Sequence, residues 1–204
     1  MGTAAEGLVI EAGRARCWWC AGDEEYQRYH DEEWGRPVRD DKRLFEKVCL
    51  ESFQSGLAWI TILRKRENFR QAFDDFDMQK VARYNEADVE RLAANAGIIR
   101  HRGKIQAAIT NARAALALIE KEGSLNEYFW RFVPPKSERP DRLDFATLSK
   151  LATTPTSKAL AKDLKARNFV WVGPTTVYAF MQAMGLVNDH LEDCWVRSEL
   201  ESPA

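Results

Sequence analysis

The 204-residue chain has no long hydrophobic run and no excess of charge of either sign. No apolar stretch approaches the ~20 residues that a membrane-spanning helix needs, and no signal peptide is visible, so we expect a cytoplasmic protein with no membrane partner. The formal net charge of −1 excludes a bulk polycation. Any surface that binds nucleic acid must therefore be local.

Histidine and cysteine are also scarce, with three and four residues respectively. In a reducing cytosol, the cysteines are expected to be thiols or metal ligands rather than disulfides. Cys17 and His30 lie near the start of the chain, and His190 and Cys194 lie near its end. Two thiolates and two imidazoles complete a tetrahedral zinc set, so this pattern predicts one structural Zn²⁺ ion per chain that joins the two ends.

Cys20 leaves a second ligand set open. Cys17 and Cys20 form a C-x-x-C pair, so Cys20 could replace His30 as the fourth ligand. Without a metal, the same residues would be unrelated buried cysteines and histidines. A zinc hydrolase is disfavoured because four protein ligands leave no position for an activated water.

The apolar periodicity is helical along almost the whole chain, and we find no convincing alternating strand. Residues 1–15 carry no such pattern, and we expect them to form a mobile tail. Polar residues that can cap predicted helix starts are Asp40 or Asp41, Asn85, Ser124, Thr156 or Ser157, and Thr175 or Thr176.

Glu51 lies at an unusual position for a carboxylate. On a helix, Leu44, Val48 and Glu51 fall on one apolar stripe. Burial of a carboxylate is costly unless the group is paired or faces a cavity, and such acids are often functional. The alternative is an acid that bends to solvent at the helix end, or one that pairs with a buried arginine.

Aromatic residues crowd the same part of the sequence. Most are expected in the core, but a few beside Glu51 would suit a planar, electron-poor or cationic ligand through stacking and cation–π contact. The residues are Trp18, Trp19, Tyr26, Tyr29, Trp34, Phe53 and Trp59.

Residues 165–179 have the pattern of a helix-hairpin-helix. A basic helix end at Lys165 leads to a turn that ends at Gly173, and a second helix then begins near Thr175. Free backbone amides at that start would bind a DNA phosphate. The alternative is an ordinary α-hairpin with a solvated lysine face. A second basic group comprises Arg100, His101, Arg102 and Lys104.

Five blocks of sequence unite these features: RCWWC, YHDEEWG, LFEKVCLESFQSGLAWITILRKRENFRQAF, AGIIRHRGKIQA and FVWVGPTTVYAFMQAMGLVNDH. From Arg16 to Cys194 they resemble the 3-methyladenine DNA glycosylase I family. The resemblance implies an all-α helix-hairpin-helix glycosylase with a structural zinc joining the terminal segments. It further implies one domain over residues 16–196, with a pocket between two helical lobes, and a C-terminal tail over residues 197–204.

The resemblance also assigns roles to individual residues. Its zinc ligands fall on Cys17, His30, His190 and Cys194, which favours His30 over Cys20. Its base-recognising and catalytic glutamate falls on Glu51. Further matches are Tyr29, Trp59, Trp19 and Trp34 as pocket aromatics, and Gln54, Ser55, Gly56 and Leu57 as the loop that probes the duplex. Gly173, Thr175 and Lys165 are the hairpin residues expected to contact DNA.

The activity implied is hydrolysis of the N-glycosidic bond of 3-methyladenine in alkylated double-stranded DNA, by a monomer that releases the free base. Many helix-hairpin-helix glycosylases carry a catalytic aspartate in a V-D-T-H-like stretch. Aligning the histidines places Asn188 there, and the resembled family lacks this aspartate too. The alternative function is a non-catalytic, zinc-stabilised module that binds nucleic acid.

Overall fold

A computed structural model describes residues 5–201, which form twelve α-helices and one small antiparallel sheet. No helix in this part of the chain is long and apolar enough to cross a membrane. The strands are β1 (Leu8–Glu11) and β2 (Arg14–Cys17). The helices are α1 (Glu24–Glu32), α2 (Asp41–Gln54), α3 (Trp59–Leu63), α4 (Arg66–Ala72), α5 (Met78–Val81), α6 (Glu86–Ala94), α7 (Arg102–Glu122), α8 (Leu125–Trp130), α9 (Phe145–Leu148), α10 (Pro155–Ala166), α11 (Pro174–Ala183) and α12 (Trp195–Glu201).

Helix α2 is the centre of the larger core. It packs against α3, α7, α8 and α11, and every residue from Leu44 to Phe53 is buried. A helix that is covered on all sides buries its polar residues together with its apolar ones. This packing places Lys47 and Glu51 in the interior.

Three of the predicted helix starts are confirmed. Asp40, Asn85 and Ser124 each accept a backbone hydrogen bond as the N-cap of the helix that follows. Such a bond satisfies one of the amides that the first turn leaves unpaired. These starts follow from local chemistry, which the sequence shows directly.

Helices α10 and α11 begin earlier than predicted. Thr154 caps α10 and exchanges hydrogen bonds with Ser157, and Gly173 precedes α11. Each helix has a proline at its first position, Pro155 or Pro174. Proline suits this position because its fixed φ is helical and the missing N–H would have no intrahelical partner. The predicted threonine and serine starts were therefore placed too late.

The prediction of no strand and of a tail up to residue 15 is wrong for most of that segment. Strands β1 and β2 pair antiparallel from Leu8↔Cys17 to Glu11↔Arg14. Ala12 and Gly13 form the connecting turn, both with positive φ (51° and 74°), as a type I′ hairpin turn requires. Four-residue strands are too short to show an alternating pattern, and residues 1–4 lie outside the described part.

The predicted C-terminal tail over residues 197–204 is also wrong in part. Helix α12 continues to Glu201 and packs on β2, while residues 202–204 lie outside the described part. A smaller apolar cluster joins the two chain ends. It consists of Cys17, Leu148, Leu191, Cys194 and Val196.

Candidate active site and metal centre

The four predicted metal ligands converge at the junction of the two chain ends. Cys17 ends β2 and His30 lies in α1, whereas His190 and Cys194 lie just before α12. All four side chains are buried, and their ligand atoms lie within 4.8 Å of one another. Among residues 5–201, this is the only group of three or more side chains that could bind a metal ion together, and it is the predicted set.

The spacing within the group suits a tetrahedral ion. The distance from His190 Nδ1 to His30 Nε2 is 3.2 Å. Cys194 Sγ lies 3.5 Å from His30 Nε2 and 3.6 Å from His190 Nδ1. Cys17 Sγ lies 3.8 Å from His190 Nδ1. Zinc bonds of about 2.0–2.3 Å in tetrahedral geometry separate ligand atoms by roughly 3.3–3.8 Å, so the donor set and these four distances fit this ion.

Outer hydrogen bonds fix the orientation of both imidazoles. His30 Nδ1 lies 2.8 Å from Asp31 Oδ1, and His190 Nε2 lies 3.0 Å from the carbonyl oxygen of Trp34. Burial opposes ionisation of Asp31, but hydrogen bonds from Arg16 and His30 outweigh it and lower its pKa. Metal-bound histidines usually have such partners at the second ring nitrogen.

The thiols of the group are electrostatically unequal. The hydrogen bond between Cys17 and Cys194 lowers the pKa of Cys194 and raises that of Cys17. Cys20 stands apart from the group: its thiol donates to the Cys17 carbonyl at 3.2 Å, and burial raises its pKa to about 12. The structure thus brings His30, rather than Cys20, to the ligand group.

A cavity of about 300 Å³ lies next to this group, and every predicted base-binding residue lines it. Helix α1 supplies Tyr29, α2 supplies Glu51 and the start of α3 supplies Trp59. A cavity of this size, lined by aromatic rings together with several polar side chains, can hold a small planar ligand and orient it through hydrogen bonds. Its lining is Trp18, Trp19, Tyr26, Tyr29, Trp34, Glu51, Gln54, Trp59, Leu148, Ser149, Leu151, Ala179, Gln182 and Asp189.

Glu51 is buried, as its stripe predicts, but its partner is a lysine and not an arginine. Lys47 Nζ lies 2.8 Å from Glu51 Oε1, and the two side chains are 6% and 5% exposed. Burial lowers the pKa of Lys47, and Glu51 opposes that shift. The sequence signal for this pair was the four-residue spacing, which aligns two side chains on one helix face.

Asp189 is a pocket residue that our sequence analysis missed. Its buried carboxylate pairs with Arg139 and accepts hydrogen bonds from the Tyr178 hydroxyl and, at 2.8 Å, from Gln182 Nε2. The neighbouring Asn188 does not line the pocket; its side-chain oxygen accepts a hydrogen bond from the His190 amide. In the VNDH run, the residue that lines the pocket is thus Asp189, one position after Asn188, which aligns with the aspartate of other glycosylases.

The predicted probing loop follows α2 directly. Gln54 lines the pocket and donates to the Leu57 carbonyl at 2.7 Å, while Gly56 has a φ of 81° and Leu57 is exposed. Lys104, a member of the second basic group in the sequence, is buried. Its ammonium donates to the carbonyls of Phe53 and Ser55 and so supports the base of this loop.

The predicted hairpin is present as a helix–turn–helix. Helices α10 and α11 pack against each other, with Lys165 near the end of the first and Gly173 as the N-cap of the second. Lys165 and Thr175 are exposed. Two exposed polar residues thus flank the turn between these two helices.

A helical fold that encloses a carboxylate among several aromatic rings suits a protein that binds a small planar ligand. Comparison with known proteins identifies the group: the sequence profile of the family described as methyladenine glycosylase matches residues 19–198. The chain belongs to this family.

Similar proteins agree in sequence and in structure. DNA-3-methyladenine glycosylase 1 of Escherichia coli (strain K12) is 52% identical over 180 residues, covering 88% of this chain and 95% of the relative. A crystal structure of 3-methyladenine DNA glycosylase I is 50% identical, with a TM-score of 0.82 and coverage of 88% and 98%. The Staphylococcus aureus enzyme, solved to explain its recognition of 3-methyladenine, is 37% identical, with a TM-score of 0.80 and coverage of 87% and 95%.

Proposed function

We propose that this protein is a monofunctional DNA glycosylase of base-excision repair that hydrolyses the N-glycosidic bond of 3-methyladenine in alkylated double-stranded DNA. The observation that carries the proposal is the aromatic pocket around Glu51 in a chain of this family. A base inside a duplex cannot reach such a pocket, so the nucleotide must be flipped out of the helix. The free base, 3-methyladenine, is the product.

The lesion itself lowers the demand on the enzyme. N3-methylated adenine is cationic and is already a good leaving group, so no strong general acid is needed. Glu51 accepts hydrogen bonds from the flipped base, while Tyr29 and Trp59 contact its ring, with Trp19 and Trp34 completing the aromatic wall. Water then attacks C1′ of an oxocarbenium-like sugar without a covalent intermediate, and a proton passes to solvent.

The ligand group at the chain ends would hold one structural Zn²⁺ ion through Cys17, His30, His190 and Cys194. Four protein ligands leave no site for substrate, so the ion would supply folding energy and no chemistry. Tyr29 is adjacent to His30, and Trp34 accepts a hydrogen bond from His190 through its carbonyl. The metal would therefore hold two pocket aromatics in place.

The DNA surface would be formed by the probing loop and the hairpin. Gln54, Ser55, Gly56 and Leu57 would fill the gap that the flipped nucleotide leaves. The start of α11 at Gly173 and Thr175, together with Lys165, would bind a phosphate of the backbone. These elements belong to a monomer whose single domain, residues 16–196, has the pocket between two helical lobes.

Incubation with alkylated duplex DNA, followed by chromatography of the released bases, tests the proposal directly. We expect free 3-methyladenine from the wild-type protein and little from Glu51→Gln. Binding of the duplex with no release of any base would instead identify a nucleic-acid-binding module. Abundant 7-methylguanine beside 3-methyladenine would show a broader specificity than we propose.

A further inference from the structure

One buried ammonium group contacts three members of the base pocket. Lys47 Nζ lies 2.8 Å from Glu51 Oε1 and 2.9 Å from the Tyr29 hydroxyl, to which it donates. It also lies 3.3 Å from the centre of the Trp59 ring, a cation–π contact. A single positive charge thus acts on the carboxylate and on both principal aromatics.

Lys47 approaches these residues from behind the pocket. It does not line the 300 Å³ cavity, but it lines a second cavity of about 30 Å³ that shares Tyr29 and Trp59 with the first. The other charged residues of the small cavity pair among themselves, Arg66 with Glu33 and Arg70 with Glu46, while Arg43 also lines it. Glu51 is therefore the carboxylate that Lys47 neutralises.

We propose that Lys47 is a positioning residue that determines specificity: it holds Glu51 from behind and offsets its charge. Lys47 thereby limits how strongly Glu51 favours a cationic base over a neutral one in the pocket. This inference rests on the proposed function, because it concerns the same base site. It assigns a role to a residue outside the pocket lining.

The movement of charge during the reaction explains why a positive charge beside Glu51 is useful. When the C1′–N9 bond breaks, its electron pair moves onto the base, which becomes neutral, and the positive charge moves to the sugar. A lone buried carboxylate would stabilise the cationic base in the ground state more than in the transition state. Such stabilisation tightens substrate binding without accelerating the reaction, and the Lys47 charge reduces it.

A pair of ligands that differ in charge tests the inference. Quenching of tryptophan fluorescence would give the affinities for 3-methyladenine, uncharged at mildly alkaline pH, and for the 3,9-dimethyladeninium cation. In Lys47→Met, removal of the nearby positive charge should raise the preference for the cation by about tenfold or more. On alkylated duplex DNA the same variant should lower KM and kcat together. Lys42→Met is the matched control, because Lys42 is an exposed lysine of α2 paired with Asp75.

The outcomes separate this inference from the proposed function. Equal weakening of both ligands in Lys47→Met, with an unchanged preference, would reduce Lys47 to a structural residue and overturn the inference alone. A wild-type protein that releases no base from alkylated DNA would overturn the proposed function. If Lys47→Met does not fold, Lys47→Gln keeps a hydrogen-bond donor without the charge and should show the same change in preference.

Discussion

Glu51 is held between an ammonium group and an aromatic cavity. Lys47 contacts Oε1, and the structure records no hydrogen bond within residues 5–201 that occupies Oε2. One carboxylate oxygen is therefore anchored while the other is available to a ligand in the pocket. A carboxylate with such an anchor keeps its orientation before a base arrives, which lowers the entropic cost of binding.

Replacement of Glu51 by glutamine tests whether its carboxylate accepts a hydrogen bond from the base. The change preserves shape but removes the charge from an acceptor, and a hydrogen bond to a charged group contributes about 1.5–3 kcal/mol. We expect kcat/KM for 3-methyladenine excision to fall roughly ten- to hundredfold. Steady-state excision from alkylated duplex DNA measures it, with circular dichroism to confirm the fold.

Glu46→Gln is the matched control for that variant. Glu46 is also buried in α2 and pairs with Arg70, but it lines the small cavity and not the base pocket. It should lose stability without a comparable loss of excision. An unchanged rate in Glu51→Gln would show that base recognition lies elsewhere.

Single residues differ in how well the sequence reveals them. The apolar stripe predicted that Glu51 is buried. The ligand spacing predicted Cys17, His190 and Cys194 but left His30 and Cys20 open as the fourth ligand, and the family resemblance favoured His30, which the structure places in the group. Lys47 was missed because a lysine four residues before a glutamate usually forms a solvated pair. Lys47 is buried because other helices pack around α2. Local periodicity in the sequence does not predict such long-range contacts.

At the scale of elements, the predictions succeeded where short-range chemistry decides the structure. Side chains that cap helices act within three residues, so the starts after Asp40, Asn85 and Ser124 were predictable. The β1–β2 hairpin was not, because its strands are stabilised by α12 from the other end of the chain. A contact across nearly the full sequence leaves no local pattern.

The ion pair between Glu33 and Arg66 joins the end of α1 to α4 and should make stability depend on pH. Burial opposes ionisation of Glu33, but two hydrogen bonds from Arg66 outweigh it and lower its pKa. An acid with a lowered pKa in the folded state stabilises fully above its unfolded value of about 4.3 and loses that contribution as pH falls through the folded value. Urea unfolding from neutral to acidic pH should therefore show a smaller acid-induced loss in Glu33→Gln than in wild type. If the free energy of unfolding falls equally with pH in both proteins, the Glu33–Arg66 pair does not contribute to the pH dependence of stability.

Gly185 ends α11 where the chain approaches the segment between α1 and α2. Its φ is 75°, and a Cβ there would lie 2.5 Å from the backbone of Arg36 and Pro37. Gly13 has a similar φ of 74° with open space around it, so it is a control for the backbone conformation alone. Left-handed φ costs about 1–2 kcal/mol in each alanine variant, and the collision should add about 1–3 kcal/mol to Gly185→Ala only. If Gly185→Ala and Gly13→Ala lower the free energy of unfolding equally, the backbone near Arg36 and Pro37 moves easily to accommodate the added methyl group.

At the scale of the whole molecule, the group of Cys17, His30, His190 and Cys194 and the apolar cluster around it lie where the two chain ends meet. Cys17 and Cys194 belong to that cluster, and α12 packs on β2 beside it. The pocket lies against this junction, because Tyr29 and Trp34 flank the ligand His30 in sequence. Stability of the ends and geometry of the pocket should therefore change together.

Removal of one ligand tests this coupling. In Cys194→Ser the ligand set is incomplete, so zinc content should fall and the melting temperature should drop, since structural metal binding contributes directly to folding free energy. Excision of 3-methyladenine should decrease as well, because the pocket loses the support of His30 and His190. Elemental analysis, thermal unfolding and the excision rate provide the three readouts.

Cys20→Ser is the control that separates loss of a ligand from loss of any buried thiol. Cys20 is fully buried three residues from Cys17, but it lies outside the ligand group. It should retain zinc and most of the excision activity. A strong chelator should lower the melting temperature of wild type and Cys20→Ser, and should have little further effect on Cys194→Ser. A Cys194→Ser protein with full stability and activity would show that the chain ends are held by apolar packing alone.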